Sequence, residues 1–374
     1  MTVKNVFISS GEPSGDLLAA GAVAYTNELL KGCCRIDWHG MAGERMIAAG
    51  VQPLKGIKPP AVAGLWELLP RAGEILRFRR EFYRQALSRK WDLAVLVDLP
   101  DLHLPLGRKL RVKGVPVLQY VPPQAWAWRS GRSESLRISA ERTAVLFPFE
   151  KEYFKKRGVK VSYVGHPLLD KWIQSEENAA TPAKSKKQIA LLPGSRRHEI
   201  EGMARTMLDA CRLISKTLPE TPTFHMVAAQ GSRKLVEQTL KPGDAVAIVE
   251  RDAVNFCEYD LAICAAGSVT LELAAANVPF IMAHRIHPVS YRLLKGRMNT
   301  GLIALPNILA GYMAAPELLQ DECRPERITD ESAEILMQGG AQKQKAAWLA
   351  LGRSLTAIRP DMRIENLIAD MLDM

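Results

Sequence analysis

The run Leu93 to Val97, LAVLV, is wholly apolar and stops at a carboxylate, Asp98. An acid ending a buried strand beside a ligand can have its pKa tuned by burial and accept a proton as general base; capping the next helix is the competing role. Asp101, one residue past a proline, is a second acid with less reason to point the same way. A similar polar turn, Gly11-Glu12-Pro13-Ser14-Gly15-Asp16, follows the first apolar run KNVFISS (4–10). In the second half of the chain Gly194-Ser195-Arg196 follows IALLP (189–193). A guanidinium there offers phosphate oxygens a planar fork that never loses its charge, unless the turn is merely a solvated surface feature. Gly267, Ser268 and Thr270 then open a helix after LAIC (261–264). Small residues let the backbone approach a ligand, and the first-turn N–H groups suit a phosphate. Glu272 lies four residues after Ser268, one too many for a capping box, so it either accepts from ribose hydroxyls or complements the helix dipole.

Several chemistries lack the residues they need. There is no Gly-x-Gly-x-x-Gly and no Gly-Lys-Ser/Thr, which speaks against dehydrogenases and P-loop NTPases. The seven histidines are dispersed, so a Ser-His-Asp site has no support; His166, in Gly-His-Pro, caps a helix, holds a hinge or takes part in catalysis. The six cysteines show no Cys-x-x-Cys pair and no histidines at ligand spacing, which reads as reduced structural thiols with no metal site.

These residues need a scaffold of alternating strands and helices. Apolar runs at 4–10, 35–40, 93–100, 116–121, 142–148 and 161–167 alternate with helical stretches, and the pattern restarts at 189–197, 224–229, 245–251, 261–264 and 278–283. That is an α/β chain of two doubly wound, Rossmann-like halves, with ligands beyond the carboxyl ends of the strands and the two rims facing each other across a cleft. The polar stretch 175–188, SEENAATPAKSKKQ, is the expected linker between domains 1–174 and 189–350, and helices at 351–374 are expected to pack back on the first domain.

The net charge of +10 and pI of about 9.3 point to an anionic partner. Between Arg71 and Lys90 seven basic residues, Arg77 and Arg80 among them, stand against two acids, just after AVAGLWELLP with Val62, Leu65, Trp66, Leu68 and Leu69. This composition suits a surface dipping into anionic lipid, or a core helix with a solvated basic face. No nucleic-acid motif is present. Without a signal-peptide pattern, or a window near the roughly 18 apolar residues of a membrane span, the expected location is the cytoplasm.

Taken in order, nine motifs carry a resemblance: Gly11-Glu12-Pro13-Ser14-Gly15-Asp16, His39-Gly40-Met41-Ala42-Gly43, Asp98-Leu99-Pro100-Asp101, Tyr120-Val121-Pro122-Pro123 with Trp126-Ala127-Trp128-Arg129, Pro148-Phe149-Glu150, Gly165-His166-Pro167, Leu192-Pro193-Gly194-Ser195-Arg196, Gly267-Ser268-Val269-Thr270-Leu271-Glu272 and Leu305-Pro306-Asn307-Ile308. From residue 3 to beyond 320 the chain resembles the lipid-A-disaccharide synthases. The resemblance implies a GT-B glycosyltransferase fold and inverting transfer of 2,3-diacylglucosamine from UDP-2,3-diacylglucosamine to 2,3-diacylglucosamine 1-phosphate. The products would be the β-1,6-linked disaccharide of lipid A and UDP. It also implies no cofactor and no metal, a peripheral place on the cytoplasmic face of the inner membrane, and a monomer or homodimer. Asp98 and Glu12 would be catalytic, with Ser14, Asp16 and Asp101 binding the acceptor. The nucleotide would meet Gly194, Ser195, Arg196, Gly267, Ser268, Thr270, Glu272, Asn307 and Gln320. Three places depart from the family's usual pattern: Pro13 for Ala, Asp101-Leu102-His103 for Asp-Phe-Asn, and Ala265-Ala266-Gly267-Ser268 for Ala-Ser-Gly-Thr. Two alternatives are a UDP-N-acetylglucosamine epimerase-like enzyme and a non-catalytic, membrane-associated nucleotide-binding protein.

Overall fold

Long apolar runs flanked by amphipathic helices are buried on both faces only in parallel sheets, and that is how this chain uses them. The computed structural model describes residues 2–57, 72–126, 131–169, 172, 186–285 and 301–374. Two compact units result, Met1–Pro167 with Ile358–Met374, and Leu168–Ala357. The expected linker, but for its last residues, and the apolar segment with Val62, Leu65, Trp66, Leu68 and Leu69 lie outside the described residues.

The first unit carries β1 (Thr2–Ser9), β2 (Cys34–Gly40), β3 (Gln52–Pro53), β4 (Leu93–Val97), β5 (Val117–Tyr120), β6 (Arg142–Val145) and β7 (Val161–Tyr163). They form one parallel sheet in the order β3-β2-β1-β4-β5-β6-β7. All five residues of β4 are buried. The strand order reverses between β1 and β4, where Ser9 pairs with Leu96, and a crevice for ligands opens at such a point.

The chain's last residues complete this unit. Asp361 exchanges backbone and side-chain bonds with Tyr163: its N–H donates to the Tyr163 carbonyl (2.8 Å) and its Oδ2 accepts from the Tyr163 N–H (2.9 Å). Lys151 Nζ donates to the other carboxylate oxygen (2.5 Å). The helix Ile364–Met371 buries Leu367 and Ile368, and its Ala369 meets Leu30 and Cys34.

In the second unit β8 (Gln188–Leu192), β9 (Thr223–Ala228), β10 (Ala247–Glu250), β11 (Leu261–Cys264), β12 (Phe280–His284) and β13 (Glu317–Leu319) run parallel in the order β10-β9-β8-β11-β12-β13. The helix Arg197–Thr217 buries Ile200, Met203, Ala204, Met207, Cys211 and Ile214, the spacing of a one-sided apolar stripe. The helix Gly340–Thr356 belongs here, not with the C-terminal return expected from 351. Gln344 brackets Phe280, accepting from its N–H (2.9 Å) and donating to its carbonyl (3.2 Å), while Trp348 stacks on the Phe280 ring. Gly352 leaves room for the Trp172 indole, since a Cβ would lie 2.6 Å from its Nε1.

Candidate functional site

At the reversal point of the first sheet the backbone departs from ordinary geometry. Asp98 and Leu99 both take left-handed conformations (φ 54 and 47), and so does Val121 at the end of the neighbouring strand β5 (φ 58). Asp tolerates that region, Leu less well, and a β-branched residue there is a genuine outlier; each costs on the order of 1–3 kcal/mol unless its surroundings impose it. The imposing groups are identifiable. His103, fully buried, sets Nδ1 2.8 Å from the Asp98 carbonyl and Nε2 2.9 Å from Ser9 Oγ. A carbonyl only accepts, so Nδ1 carries the proton and Nε2 accepts from the serine hydroxyl. Burial lowers the imidazole to about 4, which keeps it neutral and in that tautomer near pH 7. Gln119 Nε2 lies 3.4 Å from both the Asp98 and the Val121 carbonyls, and the Asp98 N–H donates to the Tyr120 carbonyl (3.0 Å). The turn before the first helix comes close because Gly11 lacks a Cβ, which would sit 2.4 Å from Leu99 Cδ1.

The other acids near this rim divide by role. Glu12 is the residue before the helix Pro13–Leu29, and Ser14 is exposed in its first turn. Asp16 is buried, and its carboxylate accepts from the N–H groups of Gly43 (2.9 Å), Arg45 (3.0 Å) and Met46 (3.3 Å). Asp16 thereby holds the N-terminus of the short helix Glu44–Ala48. Asp101 points outward, 85% exposed, and pairs with Arg132 at 2.5 Å, so it turns away from Asp98's role. Glu150 is a buried acid whose motif was plain in the sequence but whose work was not. Oε2 accepts from the N–H groups of Leu146 (3.2 Å) and Phe147 (3.1 Å), and Oε1 accepts from Trp126 Nε1 (3.2 Å). Burial pushes its carboxyl up to about 7 against the pull of those donors.

The second sheet reverses between β8 and β11, whose carboxyl ends are joined by the bond from the Ala265 N–H to the Leu192 carbonyl (2.8 Å). The Gly194-Ser195-Arg196 turn and the Gly267-Ser268 turn therefore emerge side by side. Glu199, unassigned from sequence, folds back under the first turn and accepts from the Ser195 (3.0 Å) and Arg196 (3.2 Å) N–H groups. Gly194, at φ 119, is required twice over, because a Cβ would also meet Glu199 Oε2 at 2.5 Å. The Ser195 amide is thus engaged, and the Arg196 guanidinium, 3.7 Å from Glu199 and 41% exposed, is the group facing outward. The spacing Arg196-x-x-Glu199 was a legible signal for this back-folding.

Around the second turn Ser268 is exposed and makes no capping bond, whereas Thr270 is fully buried and its hydroxyl donates to the Gly267 carbonyl (2.9 Å). Glu272 is ion-paired with Arg251, from the loop after β10. Gln320, at the end of β13, is left-handed (φ 51). Asn307 is engaged within the chain. It is fully buried, its Nδ2 donates to the Ala315 carbonyl (2.9 Å) and Glu317 Oε1 (2.8 Å), and its Oδ1 accepts from the Ala314 and Ala315 N–H groups (3.0 Å each). Both donors and both acceptor positions of the side-chain amide are thus engaged inside the protein. Among the described residues no group of three or more His, Cys, Asp and Glu side chains is placed to hold a metal ion. Nor is any described helix long and apolar enough to cross a membrane.

Two doubly wound sheets of this order make the GT-B fold, and solved structures agree. The chain is similar in fold to the spinosyn rhamnosyltransferase SpnG complexed with thymidine diphosphate (TM-score 0.57, 17% identity, 99% of this chain and 100% of that one). It is likewise similar to MurG of Acinetobacter baumannii (TM-score 0.57, 16% identity, 99% of each). The UDP-GlcNAc 2-epimerase of Neisseria meningitidis bound to UDP-GlcNAc has TM-score 0.60 at 13% identity over 100% of this chain and 99% of that one, a likeness of fold alone. Sequence decides within the class. The family model described as lipid-A-disaccharide synthetase matches residues 6–360. The lipid-A-disaccharide synthase of Myxococcus xanthus is 32% identical over 92% of this chain and 91% of its own length; that of Neisseria gonorrhoeae is 34% identical over 86% and 85%. The Xanthomonas campestris pv. campestris enzyme is 33% identical over 88% of this chain and 77% of its own. The chain belongs to the lipid-A-disaccharide synthase family, glycosyltransferases that form the lipid A disaccharide.

Proposed function

We propose that the protein moves a 2,3-diacylglucosaminyl group from UDP to the 6-hydroxyl of 2,3-diacylglucosamine 1-phosphate, with inversion, releasing UDP. The observation that carries this reading is the carboxylate Asp98 on a left-handed turn that the neutral His103 latches at the reversal point of the first sheet. In the reaction the acceptor hydroxyl gives its proton to Asp98 as its oxygen bonds to the anomeric carbon. The bond from that carbon to the diphosphate breaks, and the electron pair leaves with UDP. Glu12 and Ser14, in the adjoining turn, orient the acceptor. Asp101 is a weaker candidate for the base because its side chain points outward and is paired with Arg132. A general base contributes about 10²–10⁴-fold.

The leaving diphosphate gathers negative charge, and the outward Arg196 guanidinium meets it beside the Ser268 turn without need of a resident metal. Glu272 takes the ribose hydroxyls. The helix Ala72–Ala86 turns Phe82, Tyr83 and Ala86 inward and presents Arg77, Arg80 and Arg84 on one outer face. That face supports a peripheral position on an anionic membrane, where acylated substrates reside. The deciding assay supplies UDP-2,3-diacylglucosamine and the acylated 1-phosphate together and singly. UDP release that requires both, with a disaccharide product, is expected; release indifferent to the acceptor would sink the proposal.

A further inference from the structure

Arg251 and Glu272 come from opposite sides of the second unit's reversal point. Arg251 is the first residue of the tight turn that follows β10; Glu272 stands in the helix Val269–Ala275 that follows β11. In sheet order β9 and β8 lie between these strands, so the ion pair brackets the crevice where β8 and β11 diverge. Each partner is about 29% exposed at the side chain, open enough to meet a ligand and sheltered enough to be fixed. The guanidinium is itself placed from beneath: its carbon lies 4.3 Å from the centroid of the buried Phe256 ring. Arg251 holds Oε2 of Glu272, and among the described residues Oε1 accepts no hydrogen bond.

We propose that Arg251 is a positioning residue for Glu272, and that the pair makes the site select a ribose over a 2′-deoxyribose nucleoside diphosphate. This rests on the reading of the second unit as the nucleotide site. A lone glutamate on a helix turn swings among rotamers and pays that entropy on binding; one clamped at Oε2 presents Oε1 in a single direction. A vicinal diol donates two hydrogen bonds to such a carboxylate, and removing the 2′-hydroxyl leaves a charged acceptor short of one of them. Without Arg251 the carboxylate turns to water and the penalty for the missing hydroxyl fades.

Calorimetry with UDP and 2′-deoxy-UDP tests this. The wild-type protein should prefer UDP by roughly ten- to hundredfold, the range of one hydrogen bond to a charged group. Arg251→Gln should narrow that ratio by about tenfold, with Arg251→Lys, which keeps charge but loses the planar fork, in between. In a Glu272→Gln background Arg251→Gln should change nothing, an outcome that a purely structural arginine would not produce. The lysine variant reads the same ratio if the glutamine variant does not fold. A wild-type ratio in both variants, or tighter UDP binding without Arg251, would overturn the inference while the nucleotide site stands. If UDP binding ignores both Arg196→Ala and Glu272→Gln, the nucleotide reading falls and this inference with it.

Discussion

His103 and Asp98 are joined through a ring nitrogen and a main-chain oxygen 2.8 Å apart, so the histidine acts on the backbone that carries the acid and leaves the carboxylate itself alone. Because Nε2 simultaneously meets Ser9 Oγ, the ring ties the ends of β1 and β4 across the point where the sheet reverses. Replacing it with Leu leaves a buried hydroxyl and a buried carbonyl without this partner, a loss of about 2–4 kcal/mol. His103→Leu should therefore lower the melting temperature and cut kcat more than it raises KM. His103→Asn, which keeps a short donor, should recover part of kcat. Equal kcat in the wild-type and Leu proteins, at a temperature where both are folded, would show the latch to be irrelevant to turnover.

The same histidine imposes a pH dependence of definite sign. Its folded value of about 4 lies below the unfolded 6.5, so the unfolded chain binds the proton first as pH falls. Stability from this group is complete above pH 6.5 and declines down to about pH 4, by about 3 kcal/mol at 1.36 kcal/mol per pH unit. Glu150 acts oppositely. Raised from 4.5 to about 7, it favours the folded state fully below pH 4.5 and loses that contribution as pH climbs to 7. Glu150→Gln keeps an acceptor for the Leu146 and Phe147 amides but cannot titrate. In urea titrations from pH 4.5 to 7 the variant should gain stability relative to wild type as pH rises, by up to about 3 kcal/mol; a constant difference would count against the assignment.

Asp98 and Arg196 should separate kinetically. Asp98→Asn should reduce kcat by about 10²–10⁴-fold with little change in UDP affinity, since the base acts only in the transition state. Arg196→Ala should weaken UDP binding in calorimetry by about tenfold or more, as a charge-assisted contact does. Near-normal turnover in Asp98→Asn would move the base elsewhere.

Asn307 offers the reverse contrast. Its amide closes the turn before β13 through four internal bonds, so Asn307→Ala should destabilise by about 2–5 kcal/mol. UDP affinity of the folded variant should nonetheless match wild type. A selective loss of UDP affinity without a drop in melting temperature would instead assign Asn307 a direct part in nucleotide binding.

Arg77 and Arg80 sit exposed on one face of the helix Ala72–Ala86. Reversing both to Glu should release the protein from vesicles rich in anionic lipid, each basic residue near such a surface contributing about 1 kcal/mol. Co-sedimentation should fall and become less sensitive to salt; no change would remove this face from the membrane reading.

The sequence alone determined what depends on local pattern. Short unbroken apolar runs bounded by turn residues, such as Leu93–Val97 and Leu261–Cys264, read as strands of a covered parallel sheet, and they appear where expected. The paired halves, and the rims carrying Asp98, Arg196 and Glu272, followed from their alternation with helices. Edge strands such as Gln52–Pro53 and Glu317–Leu319 were illegible because two or three residues bury too little to leave a pattern. What only the tertiary structure decided is where each polar side chain spends its hydrogen bonds. Asp16 and Asn307 read as ligand residues by type and place, and the fold engages both side chains with backbone groups of the chain. Conversely His103 and Arg251 gained their roles from partners 94 and 21 positions away. Burial makes an unpaired polar group costly, so the fold assigns most such groups a partner, and that assignment belongs to the packed chain rather than to residue type.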